Sequence, residues 1–86
     1  MTYPTIVAAR LAGDRREAAH MGLTVAADVA LRLRSARQAG LCIAALDSLE
    51  AGKYSLAYTT TVYAQDDNAG DVARILSGVL KDLAAI

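Results

Sequence analysis

Tryptophan and phenylalanine are absent from this chain of 86 residues, and cysteine, histidine and proline occur once each. Each shortage closes a class of explanation. With Cys42 alone no intrachain disulfide can form, so a cross-linked secreted scaffold is excluded and a cytoplasmic setting is expected. With His20 alone, one chain holds neither a His-paired nucleophile nor a multi-histidine metal centre. The glycines are scattered and form no phosphate-binding loop, which leaves nucleotide binding without material. Asp66 and Asp67 are adjacent, without the spaced oxygen ligands of a calcium loop or the supporting groups of an acid–base pair. No run approaches the ~18 apolar residues of a membrane span, and Met1 to Gly13 lacks the pattern of a secretory leader. The expectation is a chain with no catalytic residues, no metal and no cofactor.

What is present is mostly alanine, which inflates the 55% hydrophobic content while contributing little buried area per residue. A single domain spanning residues 1–86 is expected, with a stability of roughly 4–13 kcal/mol for its length. A core this small gains from a partner subunit, so self-association is expected. Charge is unevenly placed although the net is zero. Six arginines face three acids up to Gly40, and three cations face six acids beyond it. The two halves can compensate each other by packing together, or the first can offer a basic face to nucleic acid.

Along the chain, Pro4 suits a first helical turn, giving a helix from Pro4 to Ala12 that ends at Gly13. Asp14 opens the next, with Glu17 three residues on. From Arg15 to about Ala39 one continuous helix is expected, with a break near Gly22 capped by Thr24 as the alternative. It carries a seam of Ala18, Gly22, Val25, Ala26, Val29, Leu33 and Ala36. A second strip of Leu23, Ala27 and Leu31 suggests a further neighbour outside the subunit. Cys42, Ala45, Leu46 and Leu49 mark another helix, closed by Gly52. Tyr54 to Ala64 satisfies both the helical and the strand period. A lone strand would need a partner, and only Tyr3 to Ala8 could serve, so helix is preferred. Asn68 is read as the cap of a last helix whose stripe is Val72, Ile75, Leu76, Val79, Leu80 and Leu83, interrupted by Gly78.

The hairpin from Leu41 to Ala64 resembles one tetratricopeptide-like repeat unit: Gly52, Tyr54, Ala57 and Ala64 hold the turn and small-residue positions, and Ala45 the small position of the first helix. There is one such unit and no closing proline, so the resemblance implies helix-hairpin packing and a hint of protein binding rather than a solenoid. Leu33 to Leu46 resembles the first helix and the Gly-Leu step, Gly40–Leu41, of helix-turn-helix repressors, but SLEAGKY follows where a recognition helix is required.

These readings converge on an all-α fold, a compact bundle of four to five helices around a central helical hairpin. The expected function is non-catalytic binding of another protein, with self-pairing through the alanine-rich helix and Leu23, Leu31, Tyr54 and Tyr58 as interface residues. The alternative is a small DNA-binding regulator that sets Arg32, Arg34 and Arg37 on phosphates.

Overall fold

The computed structural model describes residues 2–66 and 70–86, and these form five helices. They are α1 (Thr2–Leu11), α2 (Arg15–Arg32), α3 (Ala36–Glu50), α4 (Tyr54–Asp66) and α5 (Asp71–Ala84). Each of α2 to α5 packs on the next and α5 returns to α2, closing a four-membered ring; α1 lies against α2. No described residue is in a strand, and no helix among them is long and apolar enough to cross a membrane.

Three of the corners are built alike. Gly13, Arg34 and Gly52 adopt φ of 80°, 60° and 77°, turning the chain out of α1, α2 and α3. At each, two amides return to orphan carbonyls of the last turn: Gly13 to Arg10 and Asp14 to Ala9, Arg34 to Leu31 and Ser35 to Ala30, Gly52 to Leu49 and Lys53 to Ser48, all within 2.8–3.1 Å. The residue after each left-handed position then starts the next helix. Asp14 does so with its side chain, accepting the Glu17 amide at 3.1 Å, as the spacing of the two acids predicts.

The middle corner corrects the continuous helix expected from Arg15 to Ala39. The chain breaks at Leu33–Ser35, Gly22 lies inside α2, and Thr24 bonds back to the His20 carbonyl instead of capping. Folding back at Arg34 lets Ala39, Cys42, Ala45 and Leu49 bury against the rest of the bundle, which a straight rod would leave in water. The left-handed conformation costs a residue bearing a Cβ about 1–2 kcal/mol. Arg34→Gly is therefore expected to stabilise the fold by about 0.5–1 kcal/mol after the added freedom of the unfolded chain is deducted. Thermal unfolding should show this as a rise of about 2–8 °C.

Tyr54 to Ala64 is helical despite its β-branched run. Thr59 and Thr61 donate their hydroxyls to the carbonyls of Ser55 and Ala57, so the buried Thr61 brings no orphan polar group with it. Ala57, Thr61 and Ala64 form the buried side of α4, and packing across that side outweighs strand propensity.

The core is thin in large side chains. Leu23, Leu49, Leu76, Val72, Val79 and Cys42 are fully buried among alanines. Close approach compensates: a Cβ on Gly22 would sit 2.5 Å from Val79 Cγ2, so α2 and α5 nearly touch there. Both apolar strips of α2 are covered within the chain along most of the helix. Leu23 and Ala27 are buried, and α1, α3 and α5 all pack on this helix, so the outside neighbour expected for it has no second strip to occupy. Leu31 of the second strip and Leu33 of the first, both at its end, stay exposed.

Burial pushes the Cys42 thiol up from 9.0 to about 11. The native state holds its proton more tightly than the unfolded chain does. The resulting stability is fully present below pH 9 and is lost as pH rises toward 11. The loss, about 1.4 kcal/mol per pH unit in that window, should be missing from the pH–stability curve of Cys42→Ala.

Candidate functional site

From Tyr54 to Gln65 there is no charged residue, and most of one side of this helix faces water. Tyr54 and Tyr58 stand one turn apart and, with Ser55, Thr59 and Leu83 of α5, line a shallow groove of about 310 Å³. Leu56 and Tyr63, two turns apart, form a separate stripe on the other flank of the helix. Exposures of 36% for Tyr54, 40% for Tyr58, 52% for Leu56 and 58% for Tyr63 leave four large side chains in water around a helix without charge from Tyr54 to Gln65. The arrangement follows from the opposite side of α4, where the small residues Ala57, Thr61 and Ala64 go inward. It offers rings and hydroxyls with no charged side chain between Tyr54 and Gln65.

Of the four residues proposed for an interface, the structure brings Tyr54 and Tyr58 together. Leu31 is exposed but belongs to α2, beside the equally exposed Leu33. Leu23 is fully buried and takes no part in any surface, because the strip assigned to an outside partner is covered by the chain's own helices. Leu56, Tyr63 and Leu83 are not among those four. The first two lie in an uncharged run that is visible in the sequence, and its double period, helical and strand-like, leaves open which of its residues face water.

The arginines of the DNA alternative gather at the α2–α3 corner. Arg32 pairs with Asp28 at 3.2 Å, Arg34 supplies the left-handed turn, and Arg37 lies in the first turn of α3. Gly40 and Leu41 fall within α3, so the turn that the helix-turn-helix likeness requires at that step is not formed.

Two buried polar groups carry the remaining electrostatics. Asp82, fully buried on α5, accepts from Arg10 Nε at 2.9–3.0 Å, from Arg10 Nη2 at 2.8 Å and from Arg15 Nη1 at 3.1 Å. A Cβ on Gly78 would lie 2.6 Å from Arg10 Nη2, so that glycine gives the guanidinium its path across α5. The basic first half thus meets the acidic second half in the interior. Gln38, fully buried on α3, donates Nε2 to the Ala64 carbonyl at 2.9 Å, while its Oε1 has no protein partner among the described residues. It serves as a buried cap for a carbonyl in the last turn of α4.

Among the described residues no three of His, Cys, Asp and Glu gather where they could share a metal ion. Comparison with protein-family models, with curated proteins and with solved structures finds no match to this chain.

Proposed function

We propose that the chain is a small non-catalytic helical protein that works by binding protein, and that it pairs with a second copy of itself through the exposed side of α4. The observation that carries this reading is the uncharged, exposed side of α4 centred on the paired rings of Tyr54 and Tyr58, with Leu56 and Tyr63 exposed on its other flank. Interface centres are depleted in charge and enriched in tyrosine, whose ring covers area at little entropic cost while its hydroxyl finds partners. A two-fold contact sets a patch against its own copy, so any charge near the axis would meet its like. A surface with none meets itself without that penalty. In this reading the site of self-pairing lies on α4 rather than on the alanine-rich α2, whose strips are covered except for Leu31 and Leu33 at its end.

Light scattering at about 200 µM, a concentration that populates even a weak dimer, should return twice the monomer mass. Tyr58→Glu places two like charges across the contact and should weaken pairing at least about tenfold while leaving the helical dichroism unchanged. A wild-type monomer at that concentration, or a Tyr58→Glu protein that pairs as before, would contradict the proposal.

A further inference from the structure

A second concavity, away from α4, has a different chemistry. A cleft of about 350 Å³ opens between α1 and α5, with Gly22 of α2 also in its lining. Ile6, Val7 and Ile75 supply its apolar lining, and Val7 remains half exposed although it faces this hollow. Arg10, Arg74 and Asp71 supply its charges. Asp82 occupies Arg10 through Nε and Nη2 but not through Nη1. Arg74 makes no ion pair or side-chain hydrogen bond among the described residues. A guanidinium without a partner beside an apolar hollow is a ready acceptor for an anion attached to a greasy body.

We propose that this cleft binds a monoanionic amphiphile, specifically an aliphatic carboxylate. Its chain lies against Ile6, Val7 and Ile75 and its carboxylate is held by Arg74, with the unused edge of Arg10 adding to the field. Volume sets the size. At roughly 30 Å³ per heavy atom, the share of a water in the liquid, the cleft holds about a dozen heavy atoms, which matches a chain of about eight carbons. Charge sets the class. Around the cleft, Arg10, Arg15 and Arg74 face Asp71 and Asp82, leaving one positive charge for a single anion to neutralise. Asp71 at the rim disfavours a second negative group on the ligand. The site is independent of the surface on α4, and its occupancy does not require the chain to pair.

The test is a titration of the folded, isotope-labelled chain with sodium octanoate, followed through the amide resonances of Gly22 and Gly78 and the methyl groups of Ile6 and Ile75. 1-Octanol and octyltrimethylammonium serve as neutral and cationic probes of the same length. Octanoate should produce saturable shifts at these residues, and both other probes should bind at least about tenfold more weakly. Arg74→Gln, a change on the exposed side of α5, should weaken octanoate by about tenfold and leave 1-octanol unaffected; Asp71→Asn should tighten octanoate. Equal binding of octanoate and 1-octanol, an unchanged octanoate affinity in Arg74→Gln, or no saturable shift up to about 10 mM would overturn the proposal.

Discussion

Gln38→Glu should unfold the protein, or come close to it, at neutral pH while remaining folded in acid. The side chain at position 38 is fully buried, and its one bond is a donation to the Ala64 carbonyl. A carboxylate cannot make that donation and would set its charge against a carbonyl oxygen. An unpaired buried charge costs about 3–5 kcal/mol, a large share of the roughly 4–13 kcal/mol expected for a chain of this size. Protonation removes the cost, because the neutral acid has an O–H to donate. The folded form therefore raises the acid's pKa above its unfolded value near 4.3. Stability is fully present below that value and is lost as pH rises through the raised one. Gln38→Met is the control. It abandons the bond to Ala64 but also removes Oε1, which has no protein partner, so the two changes offset to within about 1 kcal/mol. Urea titrations followed by far-ultraviolet dichroism at pH 4.5 and 7.5 would separate the variants. A Gln38→Glu protein as stable as the wild type at the higher pH would show that position 38 is not buried in the way described.

How legible such features were depends on whether they announce themselves locally. The start of α2 was readable because Asp14 and Glu17 stand three apart, and α5 because its apolar stripe repeats at the helical period. The hairpin of α3 and α4 was readable because Gly52 falls between two stripes. The corner at Arg34 was not, since its left-handed residue is an arginine and only the packing of α3 back onto the bundle holds it there. Gln38 and Asp82 fall between these cases. Asp82 stands three residues after Val79 and ten after Val72, on the apolar side of its own helix, a position that the stripe of apolar residues alone does not reveal. Its partners come from 67 and 72 residues earlier in the chain, and no local pattern names them. The same holds for the α1–α5 cleft, which exists only once Arg10 has crossed Gly78. Tyr54 and Tyr58 could be paired from their spacing, whereas the demotion of Leu23 to the core required knowing that α2 has three neighbours.

Removing both arginines from Asp82 should cost far more than removing the aspartate itself. The side chains of Arg10 and Arg15 are 32% and 42% exposed, while that of Asp82 has no exposure at all. If the acid is replaced, as in Asp82→Leu, each guanidinium can turn toward water, and the new side chain occupies apolar surroundings, so a loss of about 0–2 kcal/mol is expected. If the arginines are replaced, as in Arg10→Met with Arg15→Met, the carboxylate is left charged where water cannot reach it. That double change should cost about 3–5 kcal/mol. The triple variant decides the cause. With Asp82→Leu added to the two methionines, no buried charge remains and stability should return to within about 1–2 kcal/mol of the wild type, a non-additivity that simple loss of packing would not produce. Chemical denaturation of the four proteins closes the cycle. Hydrogen exchange adds a local reading, because Ile6 is the large apolar side chain that α1 buries among its described side chains and Arg10 ties the helix to Asp82. In the Arg10→Met single variant the α1 amides from Ala8 to Leu11 should exchange faster while those of α3 and α4 keep their protection. Uniform loss of protection across all helices would instead mean that α1 does not separate from the bundle and that the ion pairs support the whole ring.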